Sequence, residues 1–112
     1  MRVWHQNLIP KLCRQHLLAC WRESLGAYKI ITENKKGYRN HPAVKEFLGN
    51  PLALWARLYH IREEMLRRGY KPKELPELKS VDGYFFTLDF YEWQSLNEQI
   101  EVLRSKGCDC KI

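Results

Sequence analysis

Apolar side chains recur at helical spacing in three stretches of the chain. Cys13, Leu17, Cys20, Trp21, Tyr28 and Ile31 keep that period and predict a helix running to about Glu33. Pro10 suits its first helical position, where the missing N–H is not needed. Leu54, Leu58, Ile61 and Met65 repeat the pattern behind Asn50-Pro51, a capping residue followed by a proline at the helix start. Arg67-Arg68-Gly69-Tyr70 then supplies cations for the last turn, a glycine stop and an aromatic just past it. Trp93, Leu96, Ile100 and Leu103, before Gly107, make the third pattern, and Asp89 with Glu92 has the spacing of a capping box ahead of it. The nine residues before Pro10 contain β-formers but no turn partner, so they predict an extended arm laid over the body. Residues 71–83, with two prolines and alternating charges, predict a loop. The expectation is an all-α fold: a compact single domain over residues 1–112, with three main helices and an extended N-terminal arm.

Composition narrows the class. With 112 residues, 45% apolar and 12% aromatic, the chain is long and apolar enough to bury a core. No apolar run approaches the roughly 20 residues that span a membrane, and the first residues lack the signal core of about 7 to 15 apolar residues. A soluble, cytoplasmic, monomeric protein with reduced thiols is therefore expected. Cys13 and Cys20 lie two helical turns apart, roughly 10 Å by the helical rise, beyond disulfide reach, and read as small core residues. Cys108 and Cys110 form a lone C-x-C without a matching second pair, which reads as a tail; no metal and no cofactor are expected. The net charge of +6 favours an anionic partner such as nucleic acid, although basic housekeeping proteins share it.

The most informative stretch is residues 15–26, QHLLACWRESLG. On a helix, Gln15, His16, Ala19, Arg22, Glu23 and Gly26 share one side, while Leu17, Cys20, Trp21, Ser24 and Tyr28 share the other. The adjacent Arg22-Glu23 pair is flanked one turn away by the small residues Ala19 and Gly26, which leave room for a ligand; the plainer reading is a solvated ion pair. After this helix, Lys35, Lys36 and Arg39 surround Tyr38 beside Gly37. Cations interleaved with an aromatic suit a phosphate backbone and an exposed base, and equally suit a solvated helix C-terminus. The dense cluster Tyr84, Phe85, Phe86, Phe90, Tyr91 and Trp93 is expected mostly in the core, with one or two rings left for base stacking.

Gln15-His16-Leu17, Ala19 and Arg22-Glu23 on a first helix preceded by a short arm, with Met65-Leu66-Arg67-Arg68-Gly69-Tyr70 closing the second, resemble the bacteriophage endonuclease V family of pyrimidine-dimer DNA glycosylases with abasic-site lyase activity. The resemblance covers roughly residues 1 to 72. It implies a compact three-helix protein whose terminal α-amine attacks the sugar C1′ of a damaged nucleotide and forms a Schiff base. Glu23 matches the family's essential glutamate, and Arg2 and Arg22 match its phosphate-holding arginines. Residue 2 is too large for the usual removal of the initiator methionine. With one residue inserted in the arm, the Met1 amine takes the nucleophile's position and Arg2 that of the arginine. A further phosphate-binding arginine of the family falls on Gly26, and the family's basic, aromatic C-terminal segment has no counterpart here. The implied partner is double-stranded DNA containing a damaged or abasic site, with His16, Lys35, Lys36, Tyr38 and Arg39 beside the catalytic pair. The alternatives are a non-catalytic basic DNA-binding protein of the same fold and a basic protein-interaction module.

Overall fold

The computed structural model describes residues 3–33, 41–45, 47, 50–77 and 94–111. Helix α1 covers Arg14–Thr32, α2 is a single turn at Pro42–Lys45, α3 covers Pro51–Arg67 and α4 covers Leu96–Ser105. The three main helices expected from the periodicity are therefore present, and the described residues contain no strand.

Helices α1 and α3 pack against each other and carry most of the core. Leu17, Cys20, Ser24 and Tyr28 of α1 are buried, as are Leu54, Leu58 and Ile61 of α3. Full burial of each large aliphatic side chain contributes about 1.5–3 kcal/mol, so this seam is the main source of cohesion. Asn50 caps α3 by accepting from the Ala53 N–H at 3.3 Å. Its far end closes as a Schellman motif: the Tyr70 N–H donates to the Met65 carbonyl at 2.9 Å and the Gly69 N–H to that of Leu66 at 3.0 Å. Gly69 has φ 84°, a conformation that favours glycine.

Four details differ from expectation. Pro10 does not open α1; it lies inside a 3-10 helix, Gln6–Lys11. Leu12 (φ −67°, ψ 139°) then breaks the helical path, and Cys13 becomes the N-cap of α1. The arm is consequently wound over most of its described length, because the His5 side chain caps the turn by accepting from the Asn7 N–H at 3.0 Å. The capping box of α4 is Ser95 with Glu98, the Glu98 N–H donating to Ser95 Oγ at 3.2 Å; Asp89, Glu92 and the aromatic cluster lie outside the described residues. Cys13 is half-buried at the helix start, not in the core, whereas Cys20 is fully buried as expected.

Candidate functional site

The N-terminal segment is fastened from several directions. Arg57, which interrupts the apolar face of α3 and is only 3% exposed, donates through Nη1 to the Trp4 carbonyl, and its guanidinium lies 5.8 Å from the Phe47 ring centroid. The His5 N–H donates to Gln99 Oε1 of α4 at 2.7 Å. Arg68 Nη2 donates to the carbonyls of Pro10 at 3.2 Å and Leu12 at 2.8 Å, while its Nε donates to Glu64 Oε2 at 2.6 Å. Arg67 also donates to Glu64, through Nε at 2.9 Å. These bonds to cations, the Arg67 contact first, hold the Glu64 carboxyl below its ordinary range against the opposing effect of burial.

Trp4, buried by this arrangement, meets the edge of His16 with ring centroids 6.1 Å apart. Its main chain is within hydrogen-bonding reach of the Cys20 thiol, whose own pKa burial pushes up. The arm thus meets α1 at His16, two turns before Glu23.

The side of α1 away from its buried face is the one singled out from its polar pattern. Gln15 and Arg22 are exposed, and His16, Ala19, Glu23 and Gly26 are half-buried. Gln15, His16, Leu18, Ala19 and Arg22 line a shallow groove of about 690 Å³. Burial, and then the charge of Lys106, push the His16 imidazole below its usual pKa, while Glu23 opposes them. His16, Arg22 and Glu23 therefore lie along one surface of one helix. Met1, Arg2, Lys35, Lys36, Tyr38 and Arg39 lie outside the described residues.

A second constellation sits at the start of the same helix. Cys13 Sγ is 3.2 Å from His16 Nδ1, which is 3.3 Å from Cys110 Sγ. The donor atoms of Cys13, His16, Cys108 and Cys110 all lie within 4.8 Å of one another. The Cys13 N–H donates to Cys110 Sγ at 3.1 Å. Burial pushes the Cys110 thiol up to about 12, whereas hydrogen bonding from the Cys110 main chain pulls Cys108 down. The C-x-C segment is therefore not a loose tail: it is seated on the N-terminus of α1. The signal in the sequence was the i, i+3 spacing of Cys13 and His16, which puts both on one helix face; the pairing across 94 residues was not legible there. Arg57 and Glu64 were also missed, because both fall on the face of α3 that its apolar period assigns to the core.

No helix among the described residues is long and apolar enough to cross a membrane. In comparisons with known proteins, the family described as pyrimidine dimer DNA glycosylase matches residues 1–78. No curated protein and no solved structure matches.

Proposed function

The chain belongs to the pyrimidine dimer DNA glycosylase family, and from that membership we propose that it excises a damaged pyrimidine through a Schiff base on its terminal amine and cuts the strand by β-elimination. The observation that carries the reading is the packing of Trp4 against His16, which lies on the same face of α1 as Glu23. Met1 precedes Trp4 by three residues, a stretch that spans at most about 10 Å, and we pair its amine with the Glu23 carboxylate.

The chemistry suits these groups. An α-amine has a pKa of about 7.7 to 8.0 against about 10.4 for lysine, so on the order of a tenth of it is an uncharged nucleophile at neutral pH without burial. The amine adds to C1′ as the base departs with the glycosidic electron pair. Loss of the ring oxygen's bond to C1′ then gives the iminium. Glu23 hydrogen-bonds the amine and sugar oxygen, then accepts the C2′ proton whose loss expels the 3′ phosphate. Arg22 and Arg2 hold phosphates beside the lesion, Lys35, Lys36 and Arg39 extend the basic surface, and Tyr38 offers a ring for an unstacked base. His16 supports the surface by packing against Trp4. Opening the duplex costs a few kcal/mol, least where the base is already damaged.

The test is to incubate the protein with duplex DNA carrying an abasic site in the presence of borohydride. A covalent adduct that maps to the N-terminal residue is the expected result. DNA binding with neither adduct nor strand cleavage would leave the alternative, a non-catalytic DNA-binding protein of the same fold.

A further inference from the structure

We propose that Cys13, His16, Cys108 and Cys110 form a four-coordinate structural metal site, selective for zinc-like ions, that fastens the C-terminal segment to the N-terminus of α1. Thiolate and imidazole donors suit zinc and disfavour the hard cations that require oxygen. A tetrahedral ion with bonds of about 2.3 Å to sulfur and about 2.0–2.1 Å to nitrogen needs donor separations of about 3.5 to 3.8 Å. The two sulfur–nitrogen separations of 3.2 and 3.3 Å, and the 4.8 Å limit on all pairs, bracket that requirement. Small rotamer adjustments bring the four donors onto one centre.

The local fold explains why the donors converge. Cys13 is the N-cap of α1 and its side chain makes no capping hydrogen bond, so the sulfur is available to a ligand. His16, one turn on, presents Nδ1 to the same point. At the other end, α4 stops at Lys106 and Gly107 takes φ 60°, turning the chain back. The Lys111 N–H donates to the Lys11 carbonyl at 2.7 Å, which seats the segment against the residues leading into α1. Cys108 and Cys110 are half-buried while Asp109 between them is exposed.

Charge and hydrogen bonding agree with this assignment. Three thiolates and a neutral imidazole around a dication leave one negative charge, and Lys106 lies two residues before Cys108 in the chain. The Cys13 N–H on Cys110 Sγ is the kind of main-chain donor that stabilises a metal-bound thiolate. Binding displaces up to three thiol protons to solvent and changes no oxidation state. Because all four positions are filled by protein, no open position remains for substrate, and the role is structural. Helix α4 buries only Gln99 and Leu103, so a cross-link at its end supplies cohesion that its packing does not. Closing a loop of this length restricts the unfolded chain strongly.

The full-length protein, purified under reducing conditions, should hold about one zinc per chain after gel filtration. Replacement by Co²⁺ should give intense tetrahedral d–d absorption with thiolate-to-cobalt charge transfer. Cys108→Ser combined with Cys110→Ser should abolish the bound metal, whereas His16→Cys should retain it with a shifted cobalt spectrum. Should the serine variants fail to fold, mercurial titration of the wild-type thiols decides, because zinc should be released in step with their modification. Failure of the reduced protein to bind Zn²⁺ or Co²⁺, a weak octahedral cobalt spectrum, a disulfide joining two of the three cysteines in freshly isolated protein, zinc release out of step with thiol modification, or full metal retention by the folded serine variant would each overturn the site.

Discussion

Arg68 Nη2 donates to the main-chain carbonyl of Leu12 at 2.8 Å, joining the end of α3 to the break between the 3-10 helix and α1. Leu12 is where the chain leaves helical geometry, so its carbonyl has no intrahelical partner of the α type, and the guanidinium supplies one. Glu64 holds the same guanidinium from behind. The end of α3 is thus a clamp on the residues that lead into the site face of α1.

Arg68→Ala should therefore destabilise the protein by about 1.5–3 kcal/mol, the range for hydrogen bonds to charged groups. Arg68→Lys should recover only part of this, because an ammonium does not reproduce the forked geometry that meets a carboxylate and two carbonyls together. Urea unfolding of the two variants checks both statements; equal midpoints for wild type and Arg68→Ala would remove the clamp.

Glu64 should make stability depend on acid. Its folded-state pKa lies below the ordinary 4.5, principally because Arg67 donates to it. A carboxylate of this kind contributes stability that is fully present above its unfolded value and is lost as pH falls through its folded value. Unfolding midpoints should fall as pH drops below about 4.5, and Glu64→Gln should flatten that part of the profile. An unchanged profile in Glu64→Gln would assign the acid sensitivity to other carboxylates.

How legible this was from sequence depends on range. The faces of α1 and α3 follow from local periodicity, and the Gly69 stop from local turn chemistry, so both were readable. The polar tethers of the arm were not: Arg57 to Trp4 spans 53 residues and Arg68 to Leu12 spans 56, and no local pattern specifies such partners. A buried arginine on an apolar stripe looks like an exception to the stripe until the carbonyl it satisfies is known. Cys13 failed as a core residue for a related reason, since the break at Leu12 makes it a helix cap and turns its side chain toward the returning C-terminal segment.

DNA binding should be electrostatic and tolerant of sequence. Arg22 is exposed on a helix face whose neighbours Ala19 and Gly26 are too short to read base edges. Each phosphate contact contributes about −0.9 to the slope of log affinity against log salt, so Arg22→Ala should make that slope shallower by about one unit and weaken binding to all duplexes alike. A flat salt dependence of the wild type would remove nucleic acid from its partners.

Glu23→Gln should abolish strand cleavage while leaving DNA binding largely intact. The amide keeps the shape of the side chain on α1 and part of its hydrogen bonding, but it cannot act as the base of the proposed β-elimination. General acid–base groups contribute about 10² to 10⁴ in rate, so single-turnover cleavage of abasic duplex should fall by that factor. Removing one carboxylate from a chain of net charge +6 should leave affinity for phosphates unchanged or slightly raised. Extending or acetylating the N-terminus should produce the same loss by another route, since the proposed nucleophile is removed and Glu23 stays in place. The two variants differ in one readout: the blocked protein should form no borohydride-trapped adduct, whereas Glu23→Gln should still bind abasic DNA and retain slow trapping. Wild-type cleavage by Glu23→Gln, or an adduct on the blocked protein, would exclude the terminal-amine mechanism and leave DNA binding without turnover as the better account of the surface around Arg22.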